Sequence, residues 1–145
     1  MNGKAKGIIT EIEVMLSFAR LGYAILIPYG DNERYDFIVD IDGKFYRIQC
    51  KTSRSRTEGT FFFECNSSNT VSGKCVHYYY TPDEIDYFAT TFDGKTYLVP
   101  VEEGKSQIRL RLAPAANNQK SCIHWAEDYE IEKVIQRIKE ANHGK

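Results

Sequence analysis

The sequence holds 145 residues, 42% hydrophobic and 27% charged, which suits one soluble domain with a real core over 1–145. No apolar run approaches the roughly 20 residues that span a bilayer, and the opening Met1-Asn2-Gly3-Lys4 does not read as a signal peptide. The 19 Lys and Arg stand against 20 Asp and Glu, a net of −1 that argues against an indiscriminate nucleic-acid binder.

Residues 4–21 read as a helix, with Ile8, Ile12, Met15 and Ala19 as its apolar side and Thr10, Glu13, Ser17 and Arg20 as a polar stripe. Gly22 stands where a helix stops. An apolar run at 23–29 looks extended. Segments 35–41 and 44–51 are β-rich and flank Asp42-Gly43, a strong hairpin signal. Segments 61–64 and 76–80 are further strands around a Ser/Asn/Gly-rich loop at 66–74. Thr81 caps a short turn opened by Pro82 and running to Ile85. Strands at 87–91 and 95–101 flank a second hairpin signal, Asp93-Gly94. A long irregular stretch follows at 103–121, and Trp125 reads as the core anchor of a last helix marked by Ile131, Val134, Ile135 and Ile138. The order is that of an α+β or α/β three-layer domain, not a βαβ dinucleotide fold.

Charge is segregated along the chain. Lys51, Arg54 and Arg56 form one basic segment, and Lys105, Arg109, Arg111 and Lys120 fall in an acid-free one at 104–120. Asp83, Glu84 and Asp86 form a local acidic patch. Such segregation permits a basic binding face on a neutral protein, although solvated loops would carry the same residues. Four cysteines, at 50, 65, 75 and 122, show no CxxC spacing and are expected to be free thiols in the cytoplasm. Cys65, Cys75 and His77 lack a fourth neighbour for a metal site, so packing is the better reading of the thiols. Tyr78, Tyr79 and Tyr80 read as a packed strand with its partner face.

Glu11 falls between Ile8, Met15 and Phe18, inside the apolar arc of the first helix. A carboxylate there is costly unless it is paired or metal-bound, or curls out to solvent. If Asp42-Gly43 is a two-residue turn, Ile41 pairs with Lys44 and Asp36 stands opposite Gln49. Alternation then puts Asp36, Gln49 and Lys51 on one face and Phe37, Val39, Ile41, Tyr46 and Ile48 on the other. If the helix packs on the first face, Glu11 joins the cluster. Phosphodiester hydrolysis needs an oxygen-rich Mg²⁺ site, an activated water and a cation near the developing charge. Asp36, Glu11, the Gln49 amide and the Cys50 carbonyl are candidate ligands, and Lys51 is the candidate for orienting or deprotonating the water. A cross-strand polar pair beside an exposed lysine is the plainer alternative.

Asp36 followed by Gln49-Cys50-Lys51 resembles the PD-(D/E)XK nuclease motif, with Tyr35 in place of the Pro and Gln49 in place of the second acid. The runs GIITEIEVMLSFARLGY, IPYGDNERYDFIVDIDGKFYRIQCKTSR, EIDYFATTFDGKTYLVPV and NNQKSCIHWAEDYEI resemble cyanobacterial group I intron-encoded homing endonucleases of that superfamily. The resemblance implies a restriction-endonuclease-like αβββαβ core with a mixed sheet flanked by helices. It also implies site-specific cleavage of double-stranded DNA with Mg²⁺, Mn²⁺ substituting, by a homodimer or homotetramer. The C-terminal helix and the patch at 83–86 are possible interface material. Archaeal Holliday-junction resolvases share the core, so a resolvase is one alternative, and Gln49 raises another, a DNA-binding module without catalysis. For DNA contacts the expected residues are Arg54, Arg56, Lys74, His77, Arg109 and Arg111. Asn117, Asn118 and Gln119 fit either recognition or a turn.

Overall fold

A computed structural model describes residues 1–114 and 123–144. Helix α1 (Gly3–Arg20) opens at Asn2, whose Oδ1 accepts the Ala5 N–H at 2.9 Å. Strands β1 (Ala24–Leu26), β2 (Phe37–Ile41), β3 (Lys44–Cys50), β4 (Thr60–Glu64), β5 (Asn66–Val71) and β6 (Lys74–Tyr79) follow. Then come β7 (Tyr87–Phe92), β8 (Lys95–Pro100), β9 (Gln107–Arg111) and helix α2 (Ile131–His143). Among the described residues, no helix is long and apolar enough to cross a membrane.

The central sheet runs β1-β2-β3-β7-β8 and is mixed, because β3 and β7 are parallel while the other pairs are antiparallel. That is the mixed sheet flanked by helices that the family resemblance implies. The parallel crossover from β3 to β7 holds β4, the β5–β6 hairpin and the Thr81–Ile85 turn, where a helix stands in the αβββαβ order. The Asp42-Gly43 hairpin has the expected register, from Ile41↔Lys44 to Phe37↔Ile48, with positive φ at both turn residues (53° and 88°). β1 ends at Leu26, short of 23–29, because Pro28 offers no N–H to a ladder.

Two cores sandwich this sheet. On one face Val14 and Phe18 of α1 and Ile131, Val134, Ile135 and Ile138 of α2 bury Phe37, Val39, Ile41 and Ile48. On the other, Phe61, Phe63 and Leu110 of the β4–β9 pair cover Phe88, Tyr97 and Val99. Cys65 is buried in this second core, apart from Cys75 and His77, which are exposed on β6. Trp125 is only half-buried; Ala126 and Tyr129 fill the core beside it.

Three expectations need correction. Helix α1 buries Thr10, Val14 and Phe18, while Ile8 and Ile12 stay 54% and 55% exposed, a face rotated by roughly a third of a turn from the one that hydropathy favours. Val14 and Phe18 enter the core, and the edge of the polar stripe beside them meets hydroxyls of the sheet: Ser17 Oγ lies 2.6 Å from Thr96 Oγ1, and Thr91 Oγ1 donates to Glu13 at 3.4 Å. The Ser/Asn/Gly-rich stretch is not a loop but strand β5, paired with β6 about Ser72-Gly73. Within the irregular stretch Gln107–Arg111 is strand β9, with Ile108 and Leu110 inward and Arg109 outward. The Asn117, Asn118, Gln119, Lys120 and Cys122 readings lie outside the described residues.

Candidate active site

Asp36 sits just before β2, at the end of the ladder where the sheet opens. Its N–H donates to the Ile48 carbonyl and its Oδ2 accepts the Cys50 N–H, both at 2.8 Å. The carboxylate is thereby fixed by the strand that carries the QCK triplet. Burial pushes the Asp36 carboxyl up from its ordinary value, against the lowering pull of the Cys50 N–H and the Lys51 charge.

The helix covers the apolar face of the hairpin, not the Gln49/Lys51 face that the conditional reading required: Phe18 packs edge-on against Phe37 with ring centroids 6.0 Å apart. Glu11 still comes close to Asp36 at the open end of the sheet. It is half-buried, and its carboxyl is raised by burial and by the Asp36 charge. The same two acids, after burial itself, push the Cys50 thiol well up, so it stays protonated.

Lys51 continues from β3 on the far side. Its backbone N–H donates to Ala89 O at 2.8 Å, and its Nζ reaches the Asn66 carbonyl at 2.9 Å and lies 4.9 Å from the centre of the Tyr80 ring. Gln49 turns its amide nitrogen toward the Cys50 carbonyl at 3.5 Å. Glu11, Asp36 and Lys51 thus bear on one region through their charges, and the Gln49 amide borders it.

Two carboxylates crowded together, with one backbone N–H and one ammonium to offset them, leave a deficit of positive charge. The donors are hard oxygens: Asp36, Glu11, the Gln49 amide and the Cys50 carbonyl, which suit a small divalent cation. Among the described residues no three His, Cys, Asp or Glu side chains cluster closely enough to bind a metal by themselves, so the amide and carbonyl oxygens would have to complete the shell.

The basic residues separate into two places. Arg54 and Arg56 lie over the Phe62 ring with guanidinium carbons 5.4 and 4.9 Å from its centroid. Phe62 pairs with Arg109, and Arg111 pairs with Thr60 two residues along, so the two basic segments converge on the outer face of β4–β9. Arg54 also meets Glu64 at 3.4 Å. Lys74 and His77 are instead exposed on β6, with His77 Nδ1 3.1 Å from Ser68 Oγ.

Sequence reasoning missed Arg34. Its guanidinium donates to Tyr79 O at 2.7 Å, Tyr78 O at 3.3 Å and Ser67 Oγ at 3.0 Å, stacks 3.8 Å from the Tyr80 ring centroid, and pairs with Glu84 at 3.2 Å. The place of Tyr80 beside Arg34 and Lys51 was missed too. Tyr78 and Tyr79 are exposed, contrary to the packed-strand expectation, and only Tyr80 packs, edge-on to Phe88. The one available signal for Arg34 was its position two residues before Asp36.

The fold has a solved counterpart. A bacterial homing endonuclease, I-Ssp6803I, superposes with a TM-score of 0.78 over 100% of this chain and 99% of that one, at 21% identity, a likeness of fold. No curated protein sequence matches significantly. Residues 1–132 match the family model described as PD-(D/E)XK endonuclease. With its acid, amide and lysine at the open end of a mixed sheet and that match across most of its length, the chain belongs to the PD-(D/E)XK endonuclease family.

Proposed function

We propose that residues 1–145 form one nuclease domain, a homing-type endonuclease that cuts double-stranded DNA at a specific site with Mg²⁺, Mn²⁺ substituting. The observation that carries the reading is the Asp36 carboxylate, held by the Cys50 N–H, raised by burial and flanked by Glu11 and Lys51. Asp36 and Glu11 would hold the cation, with Gln49 Oε1 and the Cys50 carbonyl as further ligands. When bound, the cation supplies Lewis-acid polarisation of the phosphate and acidifies water. Lys51, an ammonium with donors beyond the one given to Asn66, orients the attacking water or neutralises charge at phosphorus. Arg54, Arg56, Arg109 and Arg111 meet phosphates from the β4–β9 face.

One such site cuts one strand, so double-strand cleavage calls for at least two copies of the chain. The apolar residues of α2 face inward, and Arg34 and Arg47 engage Glu84 and Asp86 of the acidic patch. Among the described residues α1 offers interface material instead: Ile8, Ile9, Ile12 and Leu16 form one exposed stripe. A sedimentation mass of one chain, with and without DNA, would refute the dimer or tetramer.

Gln49 supports a second reading, a DNA-binding module that lacks the charge to hold metal. Plasmid and four-way-junction substrates incubated with Mg²⁺ or Mn²⁺ separate these. Linear plasmid from the intact protein and none from Asp36→Ala or Lys51→Ala supports the nuclease. Tight binding without hydrolysis supports the module, and preference for the junction over its arms supports a resolvase.

A further inference from the structure

We propose that the β5–β6 hairpin enters the major groove of duplex DNA and reads base edges with Ser68, Thr70 and His77, an inference that rests on the nuclease reading above. A two-stranded hairpin is marginal in water unless it buries an apolar face. This one buries almost nothing: residues 68–71, 74, 75 and 77–79 are exposed. Its order comes from its roots. Arg34 holds Ser67, Tyr78 and Tyr79 from one side, and Lys51 holds the Asn66 carbonyl from the other. A ribbon fixed only where it leaves the body is a projection, aimed by the same residues that border the active site.

Its chemistry fits DNA. From Asn66 to Tyr80 there is no acid, in a chain with 20 of them. The register sorts its side chains into two faces: Ser68 and Thr70 lie opposite His77 and Cys75, while Asn69 and Val71 lie opposite Val76 and Lys74. On the first face the hydroxyls both donate and accept, as groove edges require. Ser68 Oγ and His77 Nδ1 stand 3.1 Å apart, and Cys75 Sγ approaches His77 Nε2 at 3.9 Å, which holds the imidazole upright between its neighbours. Lys74, beside the turn, is placed for a phosphate.

The dimensions fit as well. The major groove is about 12 Å wide and admits a two-stranded ribbon. Six residues of strand reach about 20 Å, or about six base pairs at roughly 3.4 Å each. Lys51 lies at the root, so the bases read should fall within about six base pairs of the cut. Thr70 should read about two base pairs farther out than Ser68 and His77, since two residues of strand advance roughly 7 Å.

The test separates binding from cutting. The intact protein selects sites from a randomised duplex library in Ca²⁺, and Ser68→Ala, Thr70→Ala and His77→Ala are then measured on that site and on its single-base-pair variants. The expected result is a roughly five- to hundredfold loss on the selected site, with discrimination flattened at one or two adjacent pairs and an unchanged salt slope. Arg54→Ala should weaken every duplex alike and reduce the salt slope by about 0.9. Base preferences unchanged in all three ribbon variants, or lost uniformly across sequences, would overturn the ribbon and leave the nuclease standing. An intact protein that selects no duplex would overturn both.

Discussion

The hairpins β2–β3 and β5–β6 share a turn and little else. Each turns on two residues of positive φ, Asp42-Gly43 at 53° and 88° and Ser72-Gly73 at 51° and 77°. The first alternates Phe37, Val39 and Ile41 toward a helix-covered core, each at most 1% exposed. The second alternates Ser, Asn and Thr against water. Turn chemistry is enough to fold a chain back on itself, and burial then decides what the hairpin can do. A buried hairpin holds a carboxylate by its own backbone, as the Cys50 N–H holds Asp36, whereas a solvated one presents side chains to whatever comes near.

That contrast can be broken first by stability. Phe37→Ala should cost about 3–5 kcal/mol in denaturant unfolding, while Val71→Ala should stay within about 0.5 kcal/mol. Equal costs would mean that the ribbon carries core energy after all. Next comes chemistry: Lys51→Ala should slow plasmid cleavage roughly 10²–10⁴-fold, with the loss persisting at protein concentrations that saturate the DNA in gel shifts. Arg34→Ala should lower the opening free energy of residues 66–79 by about 1–3 kcal/mol. Hydrogen exchange should show that loss there and not in β2–β3.

The smallest effect concerns the carboxylates. Burial raises both Asp36 and Glu11, so their contribution to stability is full below the ordinary value of about 4 and is lost as pH rises through the raised one. At neutral pH, metal-free Asp36→Asn should therefore melt about 2–4 °C higher than the intact protein. Mg²⁺ should raise the melting temperature of the intact protein and not of the variant, by calorimetry. The acid limb of cleavage should lie above the ordinary carboxylate range for the same reason.

Alternation and turn signals made the β2–β3 register legible, down to which residues face the core, because apolar period and turn chemistry agree there. They failed where the two conflict. Helix α1 is apolar around much of its circumference, so hydropathy could not say which side the sheet would take; that side carries Val14 and Phe18, with Ser17 meeting Thr96 at its edge. β5 has no apolar period at all, so nothing distinguished it from a loop except a partner strand eight residues on. The motif residues were legible one by one. Their suspension between Arg34, Tyr80 and the ribbon was not, since those contacts join segments more than a dozen residues apart.

Lys51 is gripped by both roots of one hairpin, the Asn66 carbonyl where it leaves and the Tyr80 ring where it returns. On the reading proposed above, retargeting is therefore not a matter of exchanging a cartridge. A transplanted ribbon that shifts either root by one residue moves the Lys51 ammonium, so a new ribbon would have to be grafted between fixed ends, inside Asn66 and Tyr80.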